Sequence, residues 1–500
     1  MKPRKWRGGV LVFIAPLFAV VPAFAQYKNS TPIPPSVIAP DKVETPFGTV
    51  HLEDGFPDKD SADKLYNMLD FQRAVQGYLL GIPPVSVWGL RKGALEWGPA
   101  NSTVPIFEEL MTPKSLFLTA NNNTPYTTIC LDLHKGPLVL EVPPKVLGLV
   151  DDHWFRWAGD VGITGPDKGQ GGKYVLLPPG YKGEVPSGYF VIRPATFNSV
   201  VFWRSFLVDG SPAPGVEAIK KFTKIYPLSE AAHPTPIKFV DVTGKVYSTL
   251  GPGDYSFWEA LNEVVQQEPT DPIDPTTLGI WASIGIQKGK PFAPDARMKK
   301  ILTDAARVGD ASARAITYRG RVADSYFYPN SAWRLAFLGG YQFQENGARL
   351  LDAYSSFHFY ATGVTPAMDS KEVGVGSQYM SVFVDSKGER LDGSKNYKLH
   401  LPKDIPAKDF WSIILYDNQT RSMLQTNQDW PAVSSQTKGL QTNPDGSVDV
   451  YFGPKAPAGK ESNWIETDAR KGWNAVLRLY GPLQPWFDKT WRPGEIEPQP

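Results

Sequence analysis

Cysteine occurs once in the 500 residues, at Cys130, so no intrachain disulfide can form. Histidine is almost as scarce, with six residues scattered through the chain: His51, His134, His153, His233, His358 and His400. No two of them share a short spacing, and neither H-E-x-x-H nor H-x-H occurs, so a metal site would have to be assembled from distant segments. A G-x-S-x-G elbow and a C-x-x-C-H haem motif are both absent. The nearest approach to a phosphate loop, GQGGK at 169–173, has Asp167 where the first glycine belongs and Tyr174 where Ser or Thr belongs; it reads as a Gly-rich hairpin. Neither a metal nor a cofactor is expected. Lys and Arg are dispersed, without the basic stripe that nucleic acid requires, so no nucleic-acid partner is expected either.

What is present begins with an export signal. Lys2, Arg4, Lys5 and Arg7 form a positive stretch ahead of the apolar run 10–24, which Pro16 and Pro22 interrupt, and Ala23-Phe24-Ala25 is an A-x-A cleavage site before Gln26. The pattern is that of a secretory signal peptide over 1–25, too short and too broken for a membrane span. It predicts a periplasmic or secreted protein with no membrane insertion after the signal is removed. Loss of those four cations takes the formal charge from +1 to about −3.

Pro and Gly, 47 and 45 residues, punctuate short runs rich in Val, Ile, Phe, Tyr and Trp, which favours β-structure with many turns. Residues 26–58 read as an extended arm or linker. Apolar residues at helical spacing predict an amphipathic helix over 60–80. Seven short apolar or alternating runs between 115 and 207 predict a β-sandwich in a domain spanning 59–213. The middle, 214–370, reads as helical, with candidates at 215–224, 255–267, 294–307, 311–318 and 345–360. Strands resume from Gln378, and Asp385-Ser-Lys-Gly and Asn443-Pro-Asp-Gly look like hairpin turns of a second β domain over 371–490. The fold class expected is α+β: two β-sandwich, jelly-roll-like domains around a helical segment.

Two sets of motifs in a fixed order carry a family resemblance. NNNTPYTTICLDLHKGPLVLEVP (121–143) resembles the domain of unknown function 1254, with Asn123 where that family shows Asp. LDGSKNYKLHLP, FWSIILYD, NPDGS, NW and LRLYGP, between 376 and 487, resemble the domain of unknown function 1214. The resemblance implies two β-rich domains with helices between them, and it names no reaction.

The densest polar–aromatic segment is 151–160. Read as a strand from His153, it places Trp154, Arg156 and Asp160 on one face and His153 on the other. Such a face can clamp a polar ligand, and it can equally be a buried Arg–Asp brace. Asn123 and Tyr126 in the 121–126 loop form a second candidate, as a site or as a capped turn. Tyr354 and His358, one helical turn apart, form a third, with helix packing as the simpler role. In the last domain, Trp411, Tyr416, Asn463, Trp464, Arg478 and Tyr480 are candidates for lining one end. The site is expected in the cleft between the first sandwich and the helical middle, with Arg156, Asp160 and Tyr126 on its wall. With 15 Trp and 21 Tyr, the expected partner is a small molecule or oligosaccharide, a carbohydrate or other polar ring compound. A cofactor-independent hydrolase or lyase using Tyr or His with a carboxylate is the alternative, and a structural envelope component the third reading.

Overall fold

The Asp54-Gly55 pair closes a two-residue turn with both φ angles positive, 49° and 80°, the combination that suits the right-handed twist of a hairpin. It joins Gly48–Glu53 to Phe56–Pro57, and Lys42–Thr45 pairs on the other side, so residues 42–57 form a three-stranded antiparallel sheet where an extended arm was expected. The computed structural model describes residues 28–500; the signal segment and its cleavage site after Ala25 lie outside the described residues. Asp58 caps the next helix, α1 (Lys59–Leu95), by accepting a hydrogen bond from the Ser61 backbone N–H at 2.7 Å. The chain divides at Met68 into two units.

In the second unit α1 continues well beyond the expected end near residue 80, through Pro83 and Pro84. Packing overrides the helix-breaking signal. The face carrying Gly81, Gly89 and Gly93 is pressed against other segments: a Cβ on Gly89 would sit 2.7 Å from the Gly251 nitrogen, and one on Gly93 would sit 1.8 Å from the Ser248 oxygen. Further helices are α2 (Ala213–Phe222), α3 (Ser256–Gln267), α4 (Pro275–Ser283), α5 (Ala296–Tyr318) and α6 (Leu351–Tyr360). The two helices expected at 294–307 and 311–318 are one, α5. Helix α4 was not expected at all, although Asp274 caps it by accepting from the Thr277 N–H at 2.9 Å.

The β-structure is mixed with these helices in an α+β arrangement, with no closed barrel among the described residues. A six-stranded sheet has the order Lys238–Asp241, Thr103–Ile106, Tyr126–Asp132, Asn198–Arg204, Leu147–Asp152, Trp157–Gly162. A four-stranded sheet, containing Leu138–Val142, Gly172–Leu176 and Lys224–Pro227, shares one apolar core with it, including Ile129, Leu131, Val201 and Trp203. Strands from 224–227 and 238–241 therefore belong with the N-terminal sheets rather than with a helical middle. Toward the C-terminus a five-stranded sheet (Arg334–Leu335, Ser377–Val382, Trp473–Pro482, Ala407–Asp417, Ala432–Ser434) shares a second core with a four-stranded sheet built on Asn396–Leu401 and Val448–Gly453. Helices α1, α3, α4 and α5 enclose a third core around Trp258 and Trp281.

A fourth core decides where the site is. Side chains alternate along a strand, so Ile129 and Leu131 go into the first core while Cys130 goes to the opposite face; Val201 and Trp203 part in the same way from Val200 and Phe202. On the five-stranded sheet Leu477 and Leu479 face the second core and Val476 faces away from it. Cys130, Val200, Phe202, Val476, Ile414 and Tyr416 meet in one cluster with α6 and the end of α1. The central strands Tyr126–Asp132, Asn198–Arg204 and Trp473–Pro482 are thus largely buried on both faces. Within this fourth core Cys130 is buried, and burial raises its thiol pKa, in keeping with an inert packing residue.

Candidate functional site

The expected strand from His153 is not formed. The strand Leu147–Asp152 ends at Asp152, and the chain turns through 153–156 before Trp157–Gly162 returns beside it. Asp152 makes the turn: its Oδ1 accepts from the backbone N–H groups of Trp154 at 2.9 Å and Arg156 at 3.0 Å. Phe155 takes the left-handed conformation at φ 59° that closes it. Arg156 then pairs with Asp152 at 2.8 Å, not with Asp160, and also donates to the Pro272 carbonyl. Asp160 accepts from the Thr365 hydroxyl at 2.6 Å and from Trp157 Nε1 at 3.0 Å. Trp154 is buried with its Nε1 donating to Pro269 O. The expected alternation of charges along one strand face fails because a carboxylate-capped turn, not an extended chain, follows Asp152.

His153 is also part of the framework. Its Nδ1 lies 2.9 Å from Glu268 Oε1, both side chains being almost wholly buried. Glu268 accepts from the Asn198 amide and from the backbone N–H groups of Phe197 and Asn198 as well. Asn198 in turn accepts from Arg91 of α1, which also donates to the carbonyls of Leu131 and Ser199. This connected network ties the helical layer to the ends of the sheet strands. Tyr354 and His358 pack as helix neighbours: His358 Nδ1 lies 2.8 Å from the Tyr354 carbonyl, and aromatic rings of Phe155, Phe343 and Phe357 surround it.

Tyr126 alone of the expected wall lines a substantial cavity. This cavity, of about 210 Å³, opens between the six- and five-stranded sheets, beside α6 and the segment that follows it. Its apolar wall includes Met111, Phe117, Leu149, Phe202, Phe357 and Val476, and its cations are Arg204, Arg334 and Arg478. No Asp or Glu lines it among the described residues.

The strands explain the arginines. Tyr126 and Arg204 are direct antiparallel partners, the first and last residues of neighbouring strands, and both point away from the first core. Arg478 interrupts the buried strand Trp473–Pro482 on the same face as Val476 and Tyr480. Arg204 and Arg478 are 7% and 4% exposed, yet no carboxylate among the described residues pairs with either. Arg204 donates to Ser377 Oγ at 2.9 Å and to Tyr126 Oη at 3.5 Å, and its guanidinium lies over the Tyr480 ring. Arg478 donates to the Thr119 carbonyl at 3.1 Å and faces the rings of Tyr379 and Tyr416, while its Nη1 has no hydrogen-bond partner among the described residues. Arg334 donates to the carbonyls of Ile316 and Thr317.

Asn121 ties the polar end together. Its Oδ1 accepts from the Asn123 N–H at 2.9 Å, which fixes the amide orientation, and its Nδ2 donates to Tyr480 Oη at 2.6 Å and to Tyr126 Oη at 3.4 Å. Burial favours the neutral phenol of Tyr126, but the Arg204 guanidinium, the Asn121 amide and Arg478 outweigh it and bring its pKa below the ordinary tyrosine value. Burial dominates at Tyr480, whose pKa is raised, and pushes the Tyr416 phenol up to about 12. Asn123 is not part of the lining: the side chains of Asn122, Asn123 and Thr124 are buried with polar atoms that have no partner among the described residues. Of the C-terminal candidates, Tyr416, Arg478 and Tyr480 converge here, whereas Trp411 enters the second core and Asn463 and Trp464 bond elsewhere. Arg204 and Arg334 were not singled out from the sequence. The usable signal for Arg204 is an arginine ending the apolar run SVVFWR (199–204).

Residues 102–227 match the family described as a protein of unknown function (DUF1254), and residues 376–484 match the one described as a protein of unknown function (DUF1214). Among solved structures, the VPA0106 protein from Vibrio parahaemolyticus is similar, with 18% identity and a TM-score of 0.54 over 86% of this chain and 100% of that one. At that identity the likeness concerns the fold alone. A structure of an uncharacterized protein from Burkholderia cenocepacia aligns with 13% identity and a TM-score of 0.40, over 88% and 95% of the two chains. No curated protein matches the sequence. The chain therefore belongs to the proteins that carry a DUF1254 domain followed by a DUF1214 domain.

Proposed function

We propose that this protein binds a small organic anion in the cavity between its six- and five-stranded sheets, with the anionic head on Arg204 and Arg478 and a ring-bearing or apolar body against Phe117, Phe202 and Phe357. One observation carries the reading: two nearly buried guanidinium groups meet at a mostly apolar cavity that no carboxylate among the described residues lines. A buried charge without a counter-charge is costly, and a planar fork of donors matches a carboxylate or phosphate. The polar ring compound expected from the aromatic content thus narrows to one that bears an acid group. The test is a panel of aromatic and aliphatic carboxylates, sugar acids and neutral sugars, read by thermal stabilisation and calorimetry. Acidic members should bind the parent protein, and Arg204→Met combined with Arg478→Met should weaken them by 100-fold or more. Neutral sugars binding as well as acids, or a double variant that binds unchanged, would sink the reading.

A second reading, catalysis, rests on Tyr126. Its oxygen accepts from both Asn121 and Arg204, an arrangement that favours the phenolate and suits a general base acting on the bound anion. In the same panel, an acid consumed by the parent, and bound but not consumed by Tyr126→Phe, would mark an enzyme.

We also infer that each pair of sheets sharing a core is a β-sandwich, on the support of side chains from both sheets in one cluster. The segment 1–25 supports an exported location, and among the described residues no helix is long and apolar enough to cross a membrane. Intact mass of the recovered protein should place its N-terminus at Gln26 in the periplasm or medium; a cytosolic chain starting at Met1 would overturn export.

A further inference from the structure

A second cavity, of about 190 Å³, opens on the other side of the segment around Leu118, the residue that lines both. Its walls include Tyr78, Ser86, Phe257, Asp310, Phe359 and Arg421. Two cations reach it, and among the described residues only Arg314 is answered by an ion pair. Arg314 pairs with Asp310 at 2.6 Å and spends its other nitrogens on the carbonyls of Asn418 and Gln419. Arg421 is 8% exposed and has no ion pair among the described residues; its Nε has no hydrogen-bond partner, and its guanidinium lies 3.9 Å from the centre of the Phe359 ring.

The backbone holds this arginine deliberately. Arg421 sits at φ 61°, a left-handed conformation that glycine or asparagine adopts more readily, in a turn closed by hydrogen bonds from its own N–H to Asp417 O and from the Asp417 N–H to Ser422 O. Its carbonyl accepts from the Thr119 N–H. A strained turn that carries an unpaired, desolvated cation to a cavity wall is the arrangement found where a charge is kept for a ligand. The Phe359 ring supplies part of the compensation through its π-face but offers no oxygen to the fork of donors.

We propose that this second cavity is a separate site for a small oxyanion, a phosphate or a short carboxylate, held by the Arg421 guanidinium. Arg421 is the one cation of this wall without an ion pair among the described residues, where the first cavity offers both Arg204 and Arg478, and this points to a small ion rather than to the organic acid proposed there; the two linings share only Leu118, so the proposal does not depend on that one. The experiment titrates the full mature protein with inorganic phosphate and, separately, with acetate by calorimetry, using sodium chloride at matched ionic strength as the reference. Phosphate or acetate should bind the parent protein saturably where chloride does not, and the stronger of the two identifies the head group. Arg421→Met should weaken that binding by tenfold or more, while Arg204→Met combined with Arg478→Met should leave it unchanged. Arg421→Lys, which keeps the charge but not the fork, serves if the Met variant fails to fold, and it should bind several-fold more weakly than the parent. Binding of neither anion beyond the chloride reference, equal binding by either Arg421 variant, or loss of binding only in the Arg204/Arg478 double variant would overturn the assignment.

Discussion

A guanidinium withdrawn from water must be answered by something, and at the residue scale the answers sort the arginines of this protein. Arg91 is answered by backbone carbonyls and Asn198, and Arg156 by Asp152. Among the described residues Arg204 and Arg478 have no carboxylate beside them, and Arg421 shares its cavity wall with Asp310 but forms no ion pair; these three line cavities. The contrast yields a test of the segment around His153. Arg156 is half-exposed, but Asp152 is buried and shapes the turn, and burial already raises the Asp152 pKa against the opposing pull of Arg156. Arg156→Met removes the cation that pairs with that carboxylate. Stability in urea should fall by about 2–3 kcal/mol, the size of a charge-assisted hydrogen-bond pair, while binding of any acid in the first cavity stays as in the parent. A variant as stable as the parent, or one that loses the ligand, would return Arg156 to the site. The wrong partner was assigned from the sequence because spacing alone cannot distinguish a strand, where residues 156 and 160 share a face, from a turn that folds Arg156 back onto residue 152.

At the scale of elements, legibility followed how much of the pattern is local. Strands and turns with their own punctuation were readable: Tyr126–Asp132, Leu138–Val142, Ala407–Asp417 and Trp473–Pro482 lie close to the apolar runs that announce them. Helix α1 was readable at its start, where Asp58 caps it, and not at its end. Two prolines at 83 and 84 signal a stop, and only the close packing of Gly89 and Gly93 on the Leu250–Gly251 and Ser248 backbone explains why the helix runs on. The strands Lys224–Pro227 and Lys238–Asp241 are four residues each and lie among helices in sequence, so their membership of the N-terminal sheets is a long-range fact. The site shows the same division. Tyr126, Arg478 and Tyr480 were visible as polar or aromatic residues in motif strands. Their meeting was not, because it requires two sheets from opposite ends of the chain to face each other across the fourth core.

At the scale of the molecule, that stacking places ionisable groups at the junctions between layers, and their burial sets how the whole structure responds to acid. Burial, helped by the nearby Arg349 cation, lowers the pKa of His358 to about 4. His153 is lowered too, by burial first, against the pull of Glu268. A depressed histidine contributes stability in full above its unfolded value of about 6.5, and this is lost as pH falls toward the folded value, because the unfolded chain takes up the proton first. Asp151, Asp152 and Asp160 act with the opposite sign: burial raises their pKa, so the folded state holds protons that the unfolded chain releases as pH rises. The slope for the parent protein alone is therefore a sum of opposing parts, and a difference between two proteins isolates one of them. His358→Gln removes the titrating ring next to Phe155 and Tyr354 whatever it costs in packing. Between pH 7.5 and pH 5 the stability advantage of the parent over this variant should shrink by about 2 kcal/mol, as a group shifted from 6.5 to near 4 requires. Urea unfolding at several pH values reads this directly. Parallel curves would mean that His358 is hydrated or paired in the folded protein and that the junction between α6 and the six-stranded sheet is open to water.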